Sequence, residues 1–220
     1  NSAEVSRQPT PEGRLRLTFA PTIPMSTYLV AFVVGPLAIT DPVDVDGTPL
    51  RIVHVPGKGE LTGFALEAGA FALRYFADYF GLPYPGDKLD LVAIPDFAFG
   101  AMENLGCVTF REVLLLIDPK AATHTELQRA ADVINHEIAH MWFGDLVTMR
   151  WFDDLWLKEG FATYLAAKAL SDLDSTSGAW QTFYLRNKPA AYGVDQTRGT
   201  TPVWQELANL DQAKSNYGPI

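Results

Sequence analysis

Apolar residues recur at helical spacing between residues 60 and 80, in the stretch ELTGFALEAGAFALRYFADYF. Gly81 and Pro83 follow this stretch, and both residue types are frequent just after the last turn of a helix. We therefore predict one long amphipathic helix in this part of the chain.

Five other stretches combine β-branched and aromatic residues with flanking proline, glycine or polar residues, which is typical of strands. They begin at residues 15, 27, 50, 90 and 107 and read LRLTFAP, TYLVAFVVGPLAI, LRIVHV, DLVAIPDF and CVTFREVLLLID. From residue 123 onward the pattern is helical almost to the end of the chain. Strands followed by helices predict an α+β fold rather than a doubly wound sheet.

The second half of the chain is predicted to contain two helices with recognisable ends. Thr125 and Gln128, three residues apart, match a capping box, and Gly144 is a suitable stop for the helix that they would start. A later helix runs through LWLKEGFATYLAAKAL, directly after Asp153 and Asp154. We interpret these two aspartates as helix-capping residues rather than as an acid–base pair.

The composition restricts the partners that the protein can have. The chain has 220 residues, 48% of them hydrophobic, and a formal net charge of −9. Because no lysine- or arginine-rich run is present, a nucleic-acid-binding or anionic-membrane surface is not expected. The longest apolar run, residues 28–34, is far too short to span a bilayer. The single cysteine, Cys107, excludes an internal disulfide.

Two of the four histidines lie within five residues, in the stretch HEIAH at residues 136–140. On a helix, His136 and His140 are about 40° apart in azimuth and about 6 Å apart along the axis, so both imidazoles can bind one ion. Glu137 points about 100° away from His136 and would reach a water on that ion as a general base. A chance pattern on a helix surface is the alternative.

A third ligand would favour a metal site over a chance pattern. Catalytic zinc usually keeps three protein ligands and one position for water. Glu159 follows His140 after eighteen intervening residues, which allow one helix to end and the next to pack back beside it. Its apolar surroundings in WLKEGF argue against an exposed surface glutamate. We predict one Zn²⁺ per chain, held by His136, His140 and Glu159.

The spacing HEIAH-x18-Glu, together with GAMEN at residues 100–104, resembles the gluzincin aminopeptidases of the aminopeptidase N type. The likeness continues through residues 136–164 and through MSTYLVAFVVG at residues 25–35. It implies a thermolysin-like metallopeptidase catalytic lobe at residues 39–220, truncated at its C-terminal end. It also implies that residues 1–38 are the last strands of an all-β domain. Because the chain begins at Asn1, we expect a longer parent protein whose compartment the sequence leaves unknown.

The resemblance also implies roles for the residues of GAMEN. Backbone groups of Gly100 and Ala101 would hold a peptide by strand addition. Met102 would contact the first side chain of the substrate, Glu103 would bind its free α-ammonium, and Asn104 belongs to the same substrate-binding stretch. The expected function is therefore a zinc aminopeptidase, with Zn²⁺ as cofactor and peptides that have a free N-terminus as substrates.

Four positions depart from the commonest pattern of the resembled family. Asp145 and Lys158 stand where asparagine is frequent, Met141 stands where glutamine is, and Phe99 precedes GAMEN. None of them replaces a ligand or the base. They put the shape of the pocket and the substrate preference in doubt, and leave the zinc chemistry as expected.

The zinc ligands alone leave three other functions open: a thermolysin-like endopeptidase, an epoxide-hydrolysing relative, and an inactive scaffold. Glu103 argues against the first, since an endopeptidase has no use for an ammonium clamp. The oxyanion-binding tyrosine of the resembled family is expected just beyond Ile220, with Tyr217 a packing residue of a helix. Without that tyrosine and the flanking β- and helical domains, the chain is expected to bind zinc and to be essentially inactive.

Overall fold

The computed structural model describes residues 1–200, 202–214 and 217. Its strands are β1 Glu4–Pro9, β2 Leu15–Phe19, β3 Ala38–Ile39, β4 Val43–Val45, β5 Thr48–His54, β6 Leu89–Ile94, β7 Ala101–Met102 and β8 Cys107–Arg111. Its α-helices are α1 Gly63–Phe80, α2 His124–Ala139, α3 Trp156–Leu173, α4 Ala179–Thr182, α5 Lys188–Asp195 and α6 Leu210–Lys214, with a π-helical turn at Phe183–Asn187 between α4 and α5. Within these ranges no helix combines the length and apolarity that crossing a membrane requires.

The larger of two sheets is mixed, with the strand order β3-β5-β6-β8-β7, and β4 also pairs with β5. Strands β5, β6 and β8 are parallel, whereas β7 is antiparallel to β8 and lies at the edge. Helices α1, α2 and α3 pack on one face of this sheet, so the predicted α+β class is confirmed. Strands β1 and β2 form a separate two-stranded sheet. The proposed boundary after residue 38 falls inside β3 and stays a prediction.

The core lies between the larger sheet and helices α1, α2 and α3. In the central strand β6, Leu89, Leu91 and Ala93 face these helices, while Val92 packs on the opposite side of the sheet. This two-sided burial explains why β6 is an almost continuous apolar run, as is usual for parallel strands. Gly69 brings α1 close to the sheet, since a Cβ there would lie only 3.2 Å from Leu91 Cδ1.

The predicted helices are present, but both ends of α2 were wrong and α1 begins three residues later than predicted. Helix α1 ends where predicted, with Gly81 in the left-handed conformation. Helix α2 is capped by Thr123 with Glu126, two residues before the predicted pair, because Thr123 has the extended backbone of an N-cap. The helix ends at Ala139, well before Gly144, because the backbone tightens to bonds between residues three apart, such as the Met141 N–H to the Ile138 carbonyl.

The two aspartates before α3 do not cap it. They lie in a 3₁₀ turn, Phe152–Asp154, and α3 begins without a side-chain cap. Asp153 instead accepts a hydrogen bond at 2.6 Å from the backbone N–H of Leu207, which ties the segment after α5 to the start of α3. The prediction that these aspartates cap α3 was therefore wrong, and the absence of an acid–base role stays a prediction.

The stretch TYLVAFVVGPLAI does not form the predicted long strand. It contains a 3₁₀ turn at Thr27–Leu29, and residues 30–37 belong to no strand. Residues 30–37 are buried only in places and form no ladder of backbone hydrogen bonds. Ala31 and Leu37 pack on the sheet, whereas Phe32 is 85% exposed.

The capping box of α2 supports the helix that carries HEIAH, and Thr123→Ala removes both its side-chain acceptor for Glu126 N–H and its contact with the Glu126 carboxylate. We expect the free energy of unfolding to fall by about 0.5–2 kcal/mol, the usual cost of losing a threonine N-cap. Thr125→Ala, at an exposed position two residues further along, is the matched control. Urea unfolding monitored by circular dichroism measures both variants, and a larger loss for Thr125→Ala would contradict this assignment.

Candidate metal centre and substrate cleft

The three predicted metal ligands converge between α2 and α3. Nε2 of His136 and Nε2 of His140 are 3.1 Å apart, and Glu159 Oε2 lies 3.4 Å from the first and 3.6 Å from the second. Helix α2 supplies His136 in its last turn, and His140 follows as the C-cap residue of the same helix. Helix α3 packs against α2, so that Glu159 in its first turn faces both imidazoles. The eighteen-residue separation therefore places three donor atoms around one point.

The environment of His140 fixes which ring nitrogen faces that point. His140 Nδ1 lies 2.9 Å from the backbone carbonyl oxygen of Phe143. Because a carbonyl only accepts, Nδ1 carries the hydrogen and donates it, which leaves the lone pair of Nε2 free for a metal. The His140 side chain is fully buried, whereas those of His136 and Glu159 remain partly accessible. The centre is therefore open on one side.

This donor set fits Zn²⁺. Two imidazole nitrogens and one carboxylate oxygen, all within 4.8 Å of one another, match the three-ligand sets of catalytic zinc sites. Burial disfavours the charge of Glu159, but its hydrogen bonds with His136 and His140 hold the pKa of this carboxyl well below its usual range. Glu159 is thus ionised, as a ligand must be. The ligand assignment itself stays a prediction.

Glu137 lies beside the three donors and differs from Glu159 in its surroundings. Its carboxylate is buried on α2, and its Oε2 has no hydrogen-bond partner among the described residues. Burial raises the pKa of the Glu137 carboxyl to about 8. A buried carboxylate with a free oxygen and a pKa near neutrality has the properties of a general base.

The stretch GAMEN runs along the edge of the larger sheet and ends beside the metal centre. Ala101 and Met102 form β7 and pair with Phe110 and Thr109 of β8, and no other described strand pairs with β7. The other side of β7 is available for strand addition by an extended peptide. An added Cβ at Gly100 would make only an ordinary contact with Leu114 Cδ1, at 3.6 Å, so the packing around Gly100 does not itself demand glycine.

Glu103 and Asn104 follow β7 and are both buried. One Glu103 oxygen lies within 4.8 Å of donor atoms of Glu137 and His140, which joins GAMEN to the metal centre. The Asn104 side chain donates to the Leu29 carbonyl and accepts from the Thr109 hydroxyl. The structure thus uses Asn104 to hold the turn after β7, and a substrate contact by its side chain stays a prediction.

Lys158 is the residue at this centre whose importance sequence reasoning missed. It was noted only as a departure from a family pattern, yet its ammonium contacts Glu103 Oε1 and lies 2.7 Å from Glu159 Oε1. Burial disfavours the ammonium, but these two carboxylates hold the pKa of Lys158 well above its usual range. The signal in the sequence was a lysine within an apolar stretch, directly before a ligand.

Asp145, another of the departures, is also buried at this centre. Neither of its carboxylate oxygens has a hydrogen-bond partner among the described residues. Burial and the nearby charge of Glu103 raise the pKa of the Asp145 carboxyl to about 9. Asp145 is therefore largely protonated at neutral pH.

Tyr217 lies beside the centre rather than in a helix. Its ring is 5.4 Å from the ammonium of Lys158, and the ring of Tyr28 is 5.1 Å from the same ammonium. Helix α6 ends before Tyr217. The prediction that Tyr217 packs in a helix was therefore wrong in its secondary structure. The expected oxyanion-binding tyrosine beyond Ile220 lies outside the described residues and stays a prediction.

Several known proteins are similar to this chain over most or all of its length. A puromycin-sensitive aminopeptidase of Caenorhabditis elegans is 38% identical over 221 residues, covering all of this chain and 23% of that protein. Aminopeptidase M1 of Arabidopsis thaliana is 46% identical over 191 residues, which are 86% of this chain and 22% of the relative. An alanine/arginine aminopeptidase of Saccharomyces cerevisiae is 37% identical over 220 residues, covering the whole chain and 26% of the relative.

The chain thus spans about a quarter of the length of these relatives. The model of the peptidase family M1 domain matches residues 64–220, which include α1 apart from its first residue, the edge strand β7 and both helices of the metal centre. This range covers most of the chain and all of the predicted site residues. The chain belongs to peptidase family M1.

Proposed function

We propose that the protein containing this chain is a zinc-dependent aminopeptidase, which removes single residues from the N-termini of peptides. The observation that carries the proposal is the convergence of a buried carboxylate, Glu103, at the end of an edge strand with the three donors His136, His140 and Glu159. Family M1 peptidases depend on zinc in general, and the relatives named above are aminopeptidases.

The metal would be held by His136, His140 and Glu159. When bound there, Zn²⁺ supplies Lewis acidity, which polarises a carbonyl and lowers the pKa of water. Glu159 stays ionised at any physiological pH and Nε2 of His140 offers its lone pair, so both side chains are prepared for this role. The side chains that would hold Zn²⁺, and so set its effect on the pKa of water, thus come from α2, from its C-cap and from α3.

The four acidic side chains of the centre divide into two kinds. Glu103 and Glu159 contact Lys158 and have lowered pKa values, so they remain anionic. Glu137 and Asp145 have raised pKa values. Carboxyl groups with pKa values pushed apart in one site identify the groups that exchange protons and those that keep their charge.

This division assigns the steps of the reaction to residues of the chain. The peptide extends strand β7, and the anionic Glu103 binds its α-ammonium by a charge-assisted hydrogen bond. Glu137 takes a proton from the attacking water and passes it to the leaving amine. The expected preference for a chain end over an internal bond follows from the fixed position of Glu103 beside the metal centre.

The metal assignment is tested with His140→Ala, because His140 is the most buried of the three proposed ligands. We expect the zinc content, measured by plasma mass spectrometry after dialysis, to fall from one per chain to well below one half. His124→Ala, an exposed histidine at the first residue of the same helix, is the matched control and should keep its zinc. Undiminished zinc in His140→Ala would refute the ligand set.

The base is tested with Glu137→Gln in the full-length protein, which removes a proton acceptor and leaves the three ligands in place. Zinc content should remain at one per chain while kcat falls by roughly 10²–10⁴-fold, the usual scale for removing a general base. Glu67→Gln, at an exposed position of α1, should leave both quantities unchanged. A Glu137→Gln enzyme within a few-fold of the unsubstituted activity would show that another group takes the proton.

The ammonium clamp is tested with Glu103→Ala in the same full-length protein. The ratio of kcat/KM for a peptide with a free N-terminus to that for its N-acetylated form should fall by at least about tenfold, since a buried charge-assisted contact is lost. An unchanged ratio would count against the clamp. If the unsubstituted protein itself prefers internal peptide bonds, its function is instead that of a thermolysin-like endopeptidase.

A further inference from the structure

The ammonium of Lys158 is enclosed within the metal centre. The residue is 2% exposed, although lysine is rarely buried this completely without a partner. Its Nζ contacts Oε1 of Glu103, from the stretch after β7, and Oε1 of Glu159, from α3. One side chain thus joins the predicted substrate anchor to a predicted metal ligand.

The surroundings of Lys158 hold this ammonium in one place. Gly144 has a φ of +136°, and a Cβ there would lie 3.2 Å from His140 Nδ1 and 3.5 Å from Lys158 Cδ, so the glycine leaves room for the lysine stem beside the imidazole. The rings of Tyr28 and Tyr217 lie 5.1 and 5.4 Å from Nζ, within the range of cation–π attraction. The ammonium is therefore confined by carboxylates and by aromatic rings.

Lys158 contacts only one of the two oxygens of each carboxylate, Glu103 and Glu159. The ammonium contacts Oε1 of Glu159, and the other oxygen, Oε2, faces the Nε2 atoms of His136 and His140. On Glu103 the ammonium likewise contacts Oε1. The other oxygen of Glu103, Oε2, is not in contact with Lys158 and can bind a second cation, such as the α-ammonium of a peptide.

We propose that Lys158 is a positioning residue that holds the amine-binding carboxylate of Glu103 at a fixed separation from the metal ligand Glu159. The proposal rests on the proposed function and specifies how the site selects a single N-terminal residue. An extended residue spans at most about 3.3–3.6 Å. Because one ammonium contacts both carboxylates, the oxygens of Glu103 and Glu159 stay within reach of a single Nζ, so only a short piece of substrate fits between the amine anchor and the metal ligand.

The physical need for Lys158 is the repulsion between the two carboxylates that it joins. Glu103 and Glu159 are both largely buried, and like charges at short range in a poorly solvated site repel strongly. Without the ammonium, Glu103 loses the one side-chain donor that the structure gives it. The Glu103 carboxylate then moves away from the metal centre. The protein still has Glu103 but no longer has a carboxylate placed to bind the substrate amine.

The test is Lys158→Met in the full-length protein, since methionine keeps an unbranched stem and removes the charge. We expect the ratio of kcat/KM for free over N-acetylated peptide to fall about 10–100-fold, the usual effect of removing a partner that orients a site residue. The loss should appear as a higher KM for the free peptide. Lys168→Met on the same helix, which removes a partly exposed ion pair with Asp172, should change nothing.

Zinc content and Lys158→Arg separate positioning from folding. Lys158→Met should keep one zinc per chain. If it loses zinc, Lys158→Arg, which keeps the charge, becomes the test, and its ratio of kcat/KM for free over N-acetylated peptide should stay within about threefold of the unsubstituted protein. A larger fall of that ratio in Lys158→Arg overturns the proposal. An unchanged ratio in Lys158→Met also overturns it. A higher ratio would show that Lys158 competes with the substrate amine for Glu103. No preference in the unsubstituted protein would instead refute the aminopeptidase function and the positioning role with it.

Discussion

Burying several carboxylates in one place requires positive charge, because an ionised carboxylate removed from water is costly unless it is paired. Glu103, Glu137, Asp145 and Glu159 all lie at one centre of this protein, and the ammonium of Lys158 contacts two of them. The two in contact stay anionic, and the two without it have raised pKa values. A metal cation at His136, His140 and Glu159 would supply the remaining charge.

The fold serves mainly to bring three chain segments to that centre. The mixed sheet ends in the short edge strand β7, whose direction sends Glu103 inward. Helices α2 and α3 pack against each other and against the core, which aligns the histidines with Glu159. Small local features make this possible, above all Gly144, which gives the stem of Lys158 room beside His140.

The sequence predicted those features that depend on spacing along one element. A separation of four residues places His136 near His140, and the apolar periodicity predicted the end of α1 to the residue. Prediction from the sequence failed for features that depend on packing between different helices and strands. Thr123 and Thr125 begin equally good capping patterns, and only the backbone conformation selects the first. Nothing in the local pattern shows that residues 30–37 lie on the sheet without pairing to it.

Sequence reasoning missed the role of Lys158 for the same reason, since its partner Glu103 is 55 residues away along the chain. The central claim remains the metal centre, and zinc-edge X-ray absorption of the metal-loaded protein tests it most directly. We predict a first shell of nitrogen and oxygen at about 2.0–2.2 Å, with outer-shell scattering from two imidazoles and no sulfur. Scattering from fewer than two imidazoles, or a sulfur ligand from Cys107 at about 2.3 Å, would contradict the account.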